Sequence, residues 1–210
     1  MGKKVRSLEL GEFFRISNHN FLSYHATCNC FLKGLTFRFL IAYMDKAALI
    51  TSLDASTDRL LQTLQTFDAA SFNTQPSPAE WSPAGVAEHL LILDVIANKI
   101  LRTEAVPSTR PSDSKVALIK TVMEDSGTKR VAPEPVLPKG GEKNIEEMIA
   151  ALRQQRDALK DAIQTTDLSE ACTARKHPAL GTLTRLEWIH FIIYHTDRHR
   201  LQLDRIGAMA

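Results

Sequence analysis

A helical repeat of apolar residues between positions 145 and 163 constrains the fold of this chain more than any other feature. Large apolar side chains recur there every three, four or seven residues and form one stripe along a helix: Ile145, Met148, Ile149, Leu152, Leu159 and Ile163. A helix with such a stripe must bury it against another element of structure. The segment therefore predicts a helix that packs into a helical core.

Three further segments have helical spacing. A first helix is predicted to end near Phe67, and a second to run from Pro83 to about Leu101. Ser82 is a suitable N-cap for the second helix. Pro83 follows at the first helical position, where a backbone N–H has no partner within the helix and its absence costs nothing. A fourth helix is predicted to begin near Leu183. The sequence shows neither strand alternation nor an internal repeat, and it predicts an all-α four-helix bundle.

The connection between the second and third predicted helices is long. Residues 102–141 hold five of the nine prolines and allow one short helix near Lys115–Met123. Connections of this length are uncommon within a compact domain and often serve as lids or crossovers. We predict a long crossover loop here.

Composition limits the classes of function. The chain has 210 residues, of which 44% are hydrophobic and 24% charged, and its formal net charge is +2. It lacks the basic footprint of a nucleic-acid-binding protein and any run of about 18 uncharged apolar residues that would span a membrane. Its three cysteines are too few for a disulfide framework and indicate a reducing compartment. We expect a cytoplasmic protein with a small-molecule substrate and no nucleic-acid or membrane partner.

Residues 1–43 differ in composition from the rest of the chain. They hold six of the nine phenylalanines and carry a net charge of +4, whereas the remaining residues carry −2. Charges interrupt the apolar part of this segment, which argues against a signal peptide. The short spacing of Cys28 and Cys30 disfavours a zinc site. We predict an N-terminal extension over 1–43, of the kind that a misassigned start codon produces, and one functional domain over 44–210.

The predicted fourth helix carries three histidines within ten residues. At about 100° per residue, His195 and His199 share one face. The rest of that face is mostly aromatic or aliphatic and comprises Trp188, Phe191, Ile192, Arg198 and Gln202. His190 falls roughly 140° away and is predicted to point to solvent.

The second predicted helix also has a histidine on its apolar face. His89 lies in the stripe of Gly85, Val86, Ile92, Leu93, Ile96 and Ile100. Glu88 and Asp94 are predicted to lie off this stripe.

Histidines that face a core need polar partners, because an unpaired buried polar group costs about 1–3 kcal/mol. A single buried histidine such as His89 commonly finds a carbonyl or hydroxyl group. Imidazoles at i and i+4, as in His195 and His199, can both bind one divalent ion, and a third from a facing helix leaves a position open for chemistry. Spacing alone leaves both explanations open, a metal site or a polar core whose hydrogen bonds are satisfied.

Two segments of the sequence resemble the DinB superfamily, which includes the YfiT-like metal-dependent hydrolases. The first, NTQPSPAEWSPAGVAEHL (73–90), contains Trp81, Ser82 and His89. The second, HPALGTLTRLEWIHFIIYHTDRHRLQL (177–203), contains the elements Gly-x-Leu-x-x-x-Glu-Trp and His-x-x-Arg-His-x-x-Gln. Their residues are Gly181, Leu183, Glu187, Trp188, His195, Arg198, His199 and Gln202. The similarity covers about residues 45–206.

The resemblance implies a four-helix bundle with up-down-down-up connections and one divalent metal ion, usually zinc or nickel. Carried over residue by residue, the ligands are His89, His195 and His199. The implied chemistry is that of a hydrolase, or of an S-transferase or isomerase that uses a low-molecular-weight thiol. A metal-bound water or thiol would then be the nucleophile, and no residue is assigned as a general base.

Other residues near the predicted site have more than one interpretation. Gln202 is a candidate to hydrogen-bond a ligand imidazole. Arg198 is a candidate to bind an anionic substrate group or to hydrogen-bond across the bundle. Glu187 falls roughly 80° from His195. It is a candidate for the rim of the site or a solvated or helix-capping residue, and we favour the second interpretation. Three further residues are expected to be structural: Trp81, Trp188 and Cys172.

Three classes of function remain open: a metal-dependent enzyme, a helical binding module in which the metal is structural, and a metal-free interaction protein. The complete set of three histidines disfavours the third class, and the lack of an evident general base keeps the second open. Leu60 and Leu61 lie on different faces of the first predicted helix and suggest a homodimer.

Overall fold

The structure is a computed structural model that describes residues 46–125, 127–128 and 131–209. The predicted N-terminal extension, residues 1–43 with Cys28 and Cys30, lies outside these residues. The described chain contains the helices α1 (46–64), α2 (Ala69–Asn73), α3 (Pro83–Arg102), α4 (Val116–Glu124), α5 (Ile145–Thr165) and α6 (Arg185–Gly207). It also contains a 3₁₀ turn (Glu134–Val136) and the strands β1 (Ala171–His177) and β2 (Gly181–Thr184).

Side chains at the helix ends explain why the long helices begin where they do. Ser82 accepts a hydrogen bond from the backbone N–H of Gly85 and caps α3, which has proline at its first position as predicted. Thr184 and Glu187 form a capping box at the start of α6. Such caps depend only on residues close in sequence, and the predicted boundaries of α3 and α5 therefore agree with the structure within one or two residues.

Pairs of contacts between helices show the direction in which each helix runs. From α3 to α5, Asp94 pairs with Arg156 and Arg102 with Asp161, so these two helices are parallel. From α1 to α6, Arg59 pairs with Asp197 and Thr63 hydrogen-bonds Asp204, which makes these two helices parallel as well.

The core residues complete the topology. One cluster joins the C-terminal halves of α3 and α5 to the N-terminal half of α6, through residues such as Leu101, Ile163 and Ile189. α6 therefore runs antiparallel to α3 and α5. The four long helices run up, down, down and up, as the resemblance implied, and the parallel pair α3–α5 requires the long crossover predicted over 102–141. None of the described helices has the length and apolar character needed to cross a bilayer.

A small antiparallel hairpin lies between α5 and α6, where the sequence predicted no strands. Ala171 pairs with Thr184 and Cys172 with Leu183, and the register shifts before His177 pairs with Gly181. The prediction was wrong because most of β1 is exposed on both faces and therefore lacks alternating hydrophobicity. Gly181 adopts a positive φ of 68° at the start of β2, a backbone conformation that favours glycine.

Two acidic residues of α3 that were predicted to lie off the buried stripe are buried. Asp94 is 1% exposed and Glu88 is 8% exposed. Asp94 packs against α5 and pairs with Arg156, and Glu88 accepts a hydrogen bond from the backbone N–H of Lys139 in the crossover. The helical stripe underestimated burial because α3 is covered on three sides, by α5, α6 and the crossover.

Candidate metal centre

Three imidazoles from two helices meet inside the bundle. His89 comes from α3, and His195 and His199 come from α6. Each offers one nitrogen, and these atoms lie within 4.8 Å of one another. The ring centroids are 5.2 Å apart for His89 and His195, 4.9 Å for His89 and His199, and 4.4 Å for His195 and His199. The structure thus brings together the three residues that the sequence selected as ligands.

Helix direction explains why residues so distant in sequence meet. Because α3 and α6 are antiparallel, His89 in the first half of α3 lies opposite the second half of α6. Gly85, one turn before His89, permits a close approach at the start of α3. A Cβ atom there would lie 3.2 Å from Cβ of Trp81 and 3.7 Å from Cγ of Pro138.

Hydrogen bonds to two of the imidazoles determine which nitrogen carries the proton. Nδ1 of His89 lies 2.6 Å from the carbonyl oxygen of Val136, and Nδ1 of His199 lies 2.8 Å from Oε1 of Gln202. Both partners are acceptors, so each Nδ1–H donates and each Nε2 keeps its lone pair. Gln202 occupies the place predicted for it, beside a candidate ligand, whereas the role of Val136 was not foreseen.

Burial keeps the three imidazoles neutral. It lowers the pKa of His195 well below its usual range and lowers the pKa of His199 to about 3. Burial also lowers the pKa of His89, although the bond to Val136 acts in the opposite direction. Neutral imidazole is the form that binds metal ions.

The nitrogen atoms fit a divalent ion. Nε2 of His195 and Nε2 of His199 are 3.1 Å apart. Bonds of about 2.0–2.1 Å to one tetrahedral ion would place two nitrogens at about 3.4 Å from each other. Nδ1 of His195 is fully buried and has no hydrogen-bond partner among the described residues. Reactive zinc sites have three protein ligands and leave the fourth coordination position of the ion open. Three neutral imidazole nitrogens would supply such a set of ligands.

Aromatic rings border the three histidines. The Trp81 ring is 5.0 Å from that of His89 and 6.5 Å from that of His199, and Phe191 stacks on His195 at 5.1 Å. Trp81 was expected to be a core residue, but it is half-buried and lies against two of the three imidazoles. These rings restrict the access of water to the site.

Arg198 lies beside His199 in sequence but binds the crossover. Its guanidinium donates to the carbonyl oxygens of Met123 at 3.1 Å, Asp125 at 2.5 Å and Thr128 at 3.1 Å. Of the two roles considered for Arg198, these bonds support the second, a hydrogen bond across the bundle.

Glu187 is a helix-capping residue, and the alternative of a solvated residue was wrong. It is completely buried and pairs with Arg110 through both oxygens, at 2.5 and 2.6 Å. Burial alone would raise the pKa of Glu187, but hydrogen bonds from Arg110 and from the backbone N–H groups of Thr184 and Lys115 outweigh it and lower the pKa. A carboxylate bound in this way is unsuited to accept a proton.

Two further predictions concern residues outside the cluster. His190 was predicted to point to solvent but is half-buried, and its ring stacks on Tyr194 at 5.7 Å. Cys172 is completely buried in β1, and burial raises the pKa of its thiol to about 11. Cys172 is therefore the unreactive thiol that was expected.

His177 is close to the site and was missed as a candidate. Its ring contacts Phe191 at 4.7 Å, and Phe191 in turn stacks on His195. Helical periodicity could not identify His177 as a candidate, because His177 lies at the end of β1 and not in a helix. The proline that follows it in the sequence predicted only that this segment forms a turn.

Comparisons with known proteins agree with this architecture. Residues 52–203 match the DinB superfamily. The uncharacterized protein YuaE of Bacillus subtilis (strain 168) is 30% identical over 138 residues, which are 64% of this chain and 82% of YuaE.

Two solved structures have a similar fold. TT2238, a four-helix bundle protein, has a TM-score of 0.51 and 20% identity, over 76% of this chain and 98% of its own. The second is YfiT from Bacillus subtilis, which is described as a probable metal-dependent hydrolase with an unusual four-helix bundle topology. It has a TM-score of 0.51 and 17% identity, and the match covers 78% of this chain and 86% of the YfiT chain. With a family match over most of its length and a relative at this level of identity, the chain belongs to the DinB superfamily.

Proposed function

We propose that this protein is a metal-dependent hydrolase of small molecules that binds one divalent ion, zinc or nickel, through His89, His195 and His199. One observation carries the proposal: imidazoles from two helices direct their nitrogens to one place, and two of them have Nδ1–H bound elsewhere. Partners of this kind orient the ligand histidines of metal sites and set their tautomer.

The fold that this chain shares with YfiT is compatible with the proposal. YfiT is described as a probable metal-dependent hydrolase, and its fold covers 78% of this chain. At 17% identity the likeness shows the fold alone. The three histidines of this chain supply the chemical argument.

A divalent ion with an open position acts as a Lewis acid and lowers the pKa of a bound water toward neutrality. The residues of this chain contribute the three neutral ligands and the aromatic border that limits bulk water. The buried carboxylates of the described chain are paired with cations: Glu88 with Lys143, Asp94 with Arg156 and Glu187 with Arg110. No buried carboxylate of the described chain is thus left without a cation partner to serve as a general base.

Burial of the histidines supports a small-molecule substrate. His89 is 3% exposed and His199 is 9% exposed, so a large substrate would have to separate the helices to reach them. An S-transferase that uses a low-molecular-weight thiol would have the same metal site, and a binding module with a structural metal would have it without turnover.

Metal content and hydrolysis by the full chain test the proposal. We expect one zinc or nickel ion per chain by elemental analysis, and slow hydrolysis of small nitrophenyl esters or anilides that chelation abolishes and metal restores. His89→Ala should lose both properties, whereas His190→Ala should keep both, because His190 lies off the cluster.

Each outcome separates the alternatives. Turnover that requires an added thiol and an electrophile would replace the hydrolase with the S-transferase. Tightly bound metal without any turnover would favour the structural role. A wild-type chain that is folded but binds neither zinc nor nickel when these ions are supplied would contradict the proposal.

A further inference from the structure

We propose that Glu88 is a positioning residue for His89 and that it acts through the crossover. Its carboxylate binds the segment 136–143, and this segment places the carbonyl oxygen of Val136 against Nδ1 of His89. The inference rests on the proposed function, to which it adds a residue that orients one of the three metal ligands. Glu88 should therefore influence both the tautomer of His89 and the affinity for the metal ion.

The segment 136–143 is attached to two consecutive residues of α3. The carbonyl oxygen of Val136 lies 2.6 Å from Nδ1 of His89. Three residues later, the backbone N–H of Lys139 donates to Oε2 of Glu88 at 3.1 Å. So short a piece of chain spans at most about 10 Å. A bond that fixes Lys139 therefore also limits how far the Val136 carbonyl group can move.

The second oxygen of Glu88 binds the far end of the same segment. Oε1 lies 3.3 Å from Nζ of Lys143, which also donates to the carbonyl oxygen of Gly140 at 2.7 Å. Gly140 and Gly141 lie between the two attachment points and have positive φ angles of 75° and 79°. Glycine is the residue with the greatest backbone freedom. The carboxylate thus closes a loop that its own backbone restrains only weakly.

The burial of Glu88 indicates that these contacts are its role in the fold. The residue is 8% exposed, and a buried carboxylate is costly unless it is paired and hydrogen-bonded. Among the residues that the structure describes, both of its partners, Lys139 and Lys143, belong to the segment 136–143. Glu88 therefore serves to bind this segment to α3.

The peptide group that follows Val136 has one other attachment. Its N–H, on Leu137, donates to the carbonyl oxygen of Glu134 at 3.1 Å and closes the 3₁₀ turn. A single 3₁₀ turn has poor hydrogen-bond geometry and is a weak unit by itself. The bond from Lys139 to Glu88 fixes the chain on the other side of this peptide group. Loss of Glu88 should therefore leave the carbonyl oxygen less well aligned with His89.

Three variants of the full chain test this role. Glu88→Met removes both oxygens and keeps a side chain of similar length. Glu88→Gln loses the charge but keeps an oxygen that can accept from Lys139. Glu142→Met is the matched control, because it makes the same change at an exposed carboxylate of the same segment.

The first readout is the tautomer of His89 in the metal-free protein, from the nitrogen NMR resonances of its ring, which are assigned by their loss in His89→Ala. We expect the Nδ1–H tautomer in the wild type, in Glu88→Gln and in Glu142→Met. Both tautomers should be present in Glu88→Met. A purely structural role would lower the melting temperature without changing the tautomer in the folded protein.

The second readout is zinc affinity, measured by competition with a chromogenic chelator. Loss of a partner of a ligand histidine typically weakens metal binding 10–100-fold. Since Glu88 acts through Val136 and not on the imidazole itself, we expect a loss of about tenfold in Glu88→Met, at the lower end of that range. Glu88→Gln should restore most of the affinity.

Two results would overturn the inference. The first is a Glu88→Met chain with the tautomer and zinc affinity of the wild type. The second is an equal loss in Glu88→Gln, because the retained oxygen would then have no effect. If Glu88→Met does not fold, Lys139→Pro removes the same N–H while Glu88 stays in place. An unchanged His89 tautomer in that variant would overturn the inference as well.

Failure of the proposed function gives a different result. A wild-type chain that binds no metal, but whose His89 tautomer depends on Glu88, would overturn the metal site and support the positioning of His89. A chain that binds one metal ion equally well in the wild type and in Glu88→Met would preserve the proposed function and overturn the role of Glu88.

Discussion

Asp94 on α3 and Arg156 on α5 form an ion pair in the interior of the bundle, with Oδ2 of Asp94 2.7 Å from Nε of Arg156. The two side chains are 1% and 2% exposed. Nη2 of Arg156 also donates to Oγ1 of Thr196 on α6, at 2.8 Å. The pair therefore joins the parallel helices α3 and α5 to the helix that carries two of the three site histidines.

Removal of one partner of this pair should strongly destabilise the fold. Asp94→Ala or Arg156→Met leaves a buried charge without its partner and should lower the free energy of unfolding by about 3–5 kcal/mol. The double variant Asp94→Leu with Arg156→Met buries no charge and should be more stable than either single variant. Denaturant unfolding measures all three. Glu124→Gln, which breaks the exposed pair with Lys120, should change the free energy by less than about 1 kcal/mol.

Gln202 should affect metal affinity without being a ligand. Gln202→Leu removes the acceptor that holds Nδ1–H of His199 at 2.8 Å. Loss of such a partner typically weakens metal binding 10–100-fold. Competition with a chromogenic chelator measures the change, and the exposed Arg205→Gln, one turn along the same helix, serves as the control. Equal affinity in both variants would show that Gln202 does not orient the ligand.

Metal should stabilise the folded chain by an amount set by its concentration. A ligand of the native state at 100 times its dissociation constant contributes about 2.7 kcal/mol. The melting temperature should therefore rise with added zinc in the wild type and stay constant in His199→Ala, which lacks one of the three donors. A zinc-dependent rise of equal size in both proteins would place the ion elsewhere.

The metal-free protein should lose stability on acidification in a way that depends on His177. Burial lowers the pKa of His177 to about 4 in the folded chain, whereas an unfolded histidine has a pKa of about 6.5. Between these values the unfolded state binds the extra proton, so stability is full above about pH 6.5 and falls as the pH decreases toward 4.

One such proton corresponds to a slope of at most about 1.4 kcal/mol per pH unit. Denaturant unfolding between pH 4.5 and 7 should show a shallower slope for His177→Asn than for the wild type, each without metal. The same slope in both proteins would mean that His177 is not buried in its neutral form.

Residues 44–210 are predicted to fold and bind metal without the preceding segment. The family match lies within this range, at 52–203. A chain that begins at Met44 should keep the metal content and melting temperature of the full chain. A truncated chain that is unfolded, or folded without metal, would assign residues 1–43 to the functional domain.

The sequence alone was sufficient to locate the long helices and the three candidate ligands. Helix periodicity and caps such as Ser82 depend on residues within four positions of each other, and these local signals are visible in one chain. The same periodicity placed His89, His195 and His199 on buried faces. A metal site could not be separated from a polar core at that stage, because hydrogen-bond partners are not part of the pattern.

Only the tertiary structure decided the contacts that join distant parts of the chain. The partner of His89 is a carbonyl oxygen 47 residues away, and the partner of Asp94 is 62 residues away. A helical wheel divides a helix into one buried and one exposed face, but α3 is covered on three sides, and Asp94 is buried for that reason. Most of β1, the strand that ends at His177, is exposed on both faces, so it lacks the hydrophobic alternation from which a strand could be predicted.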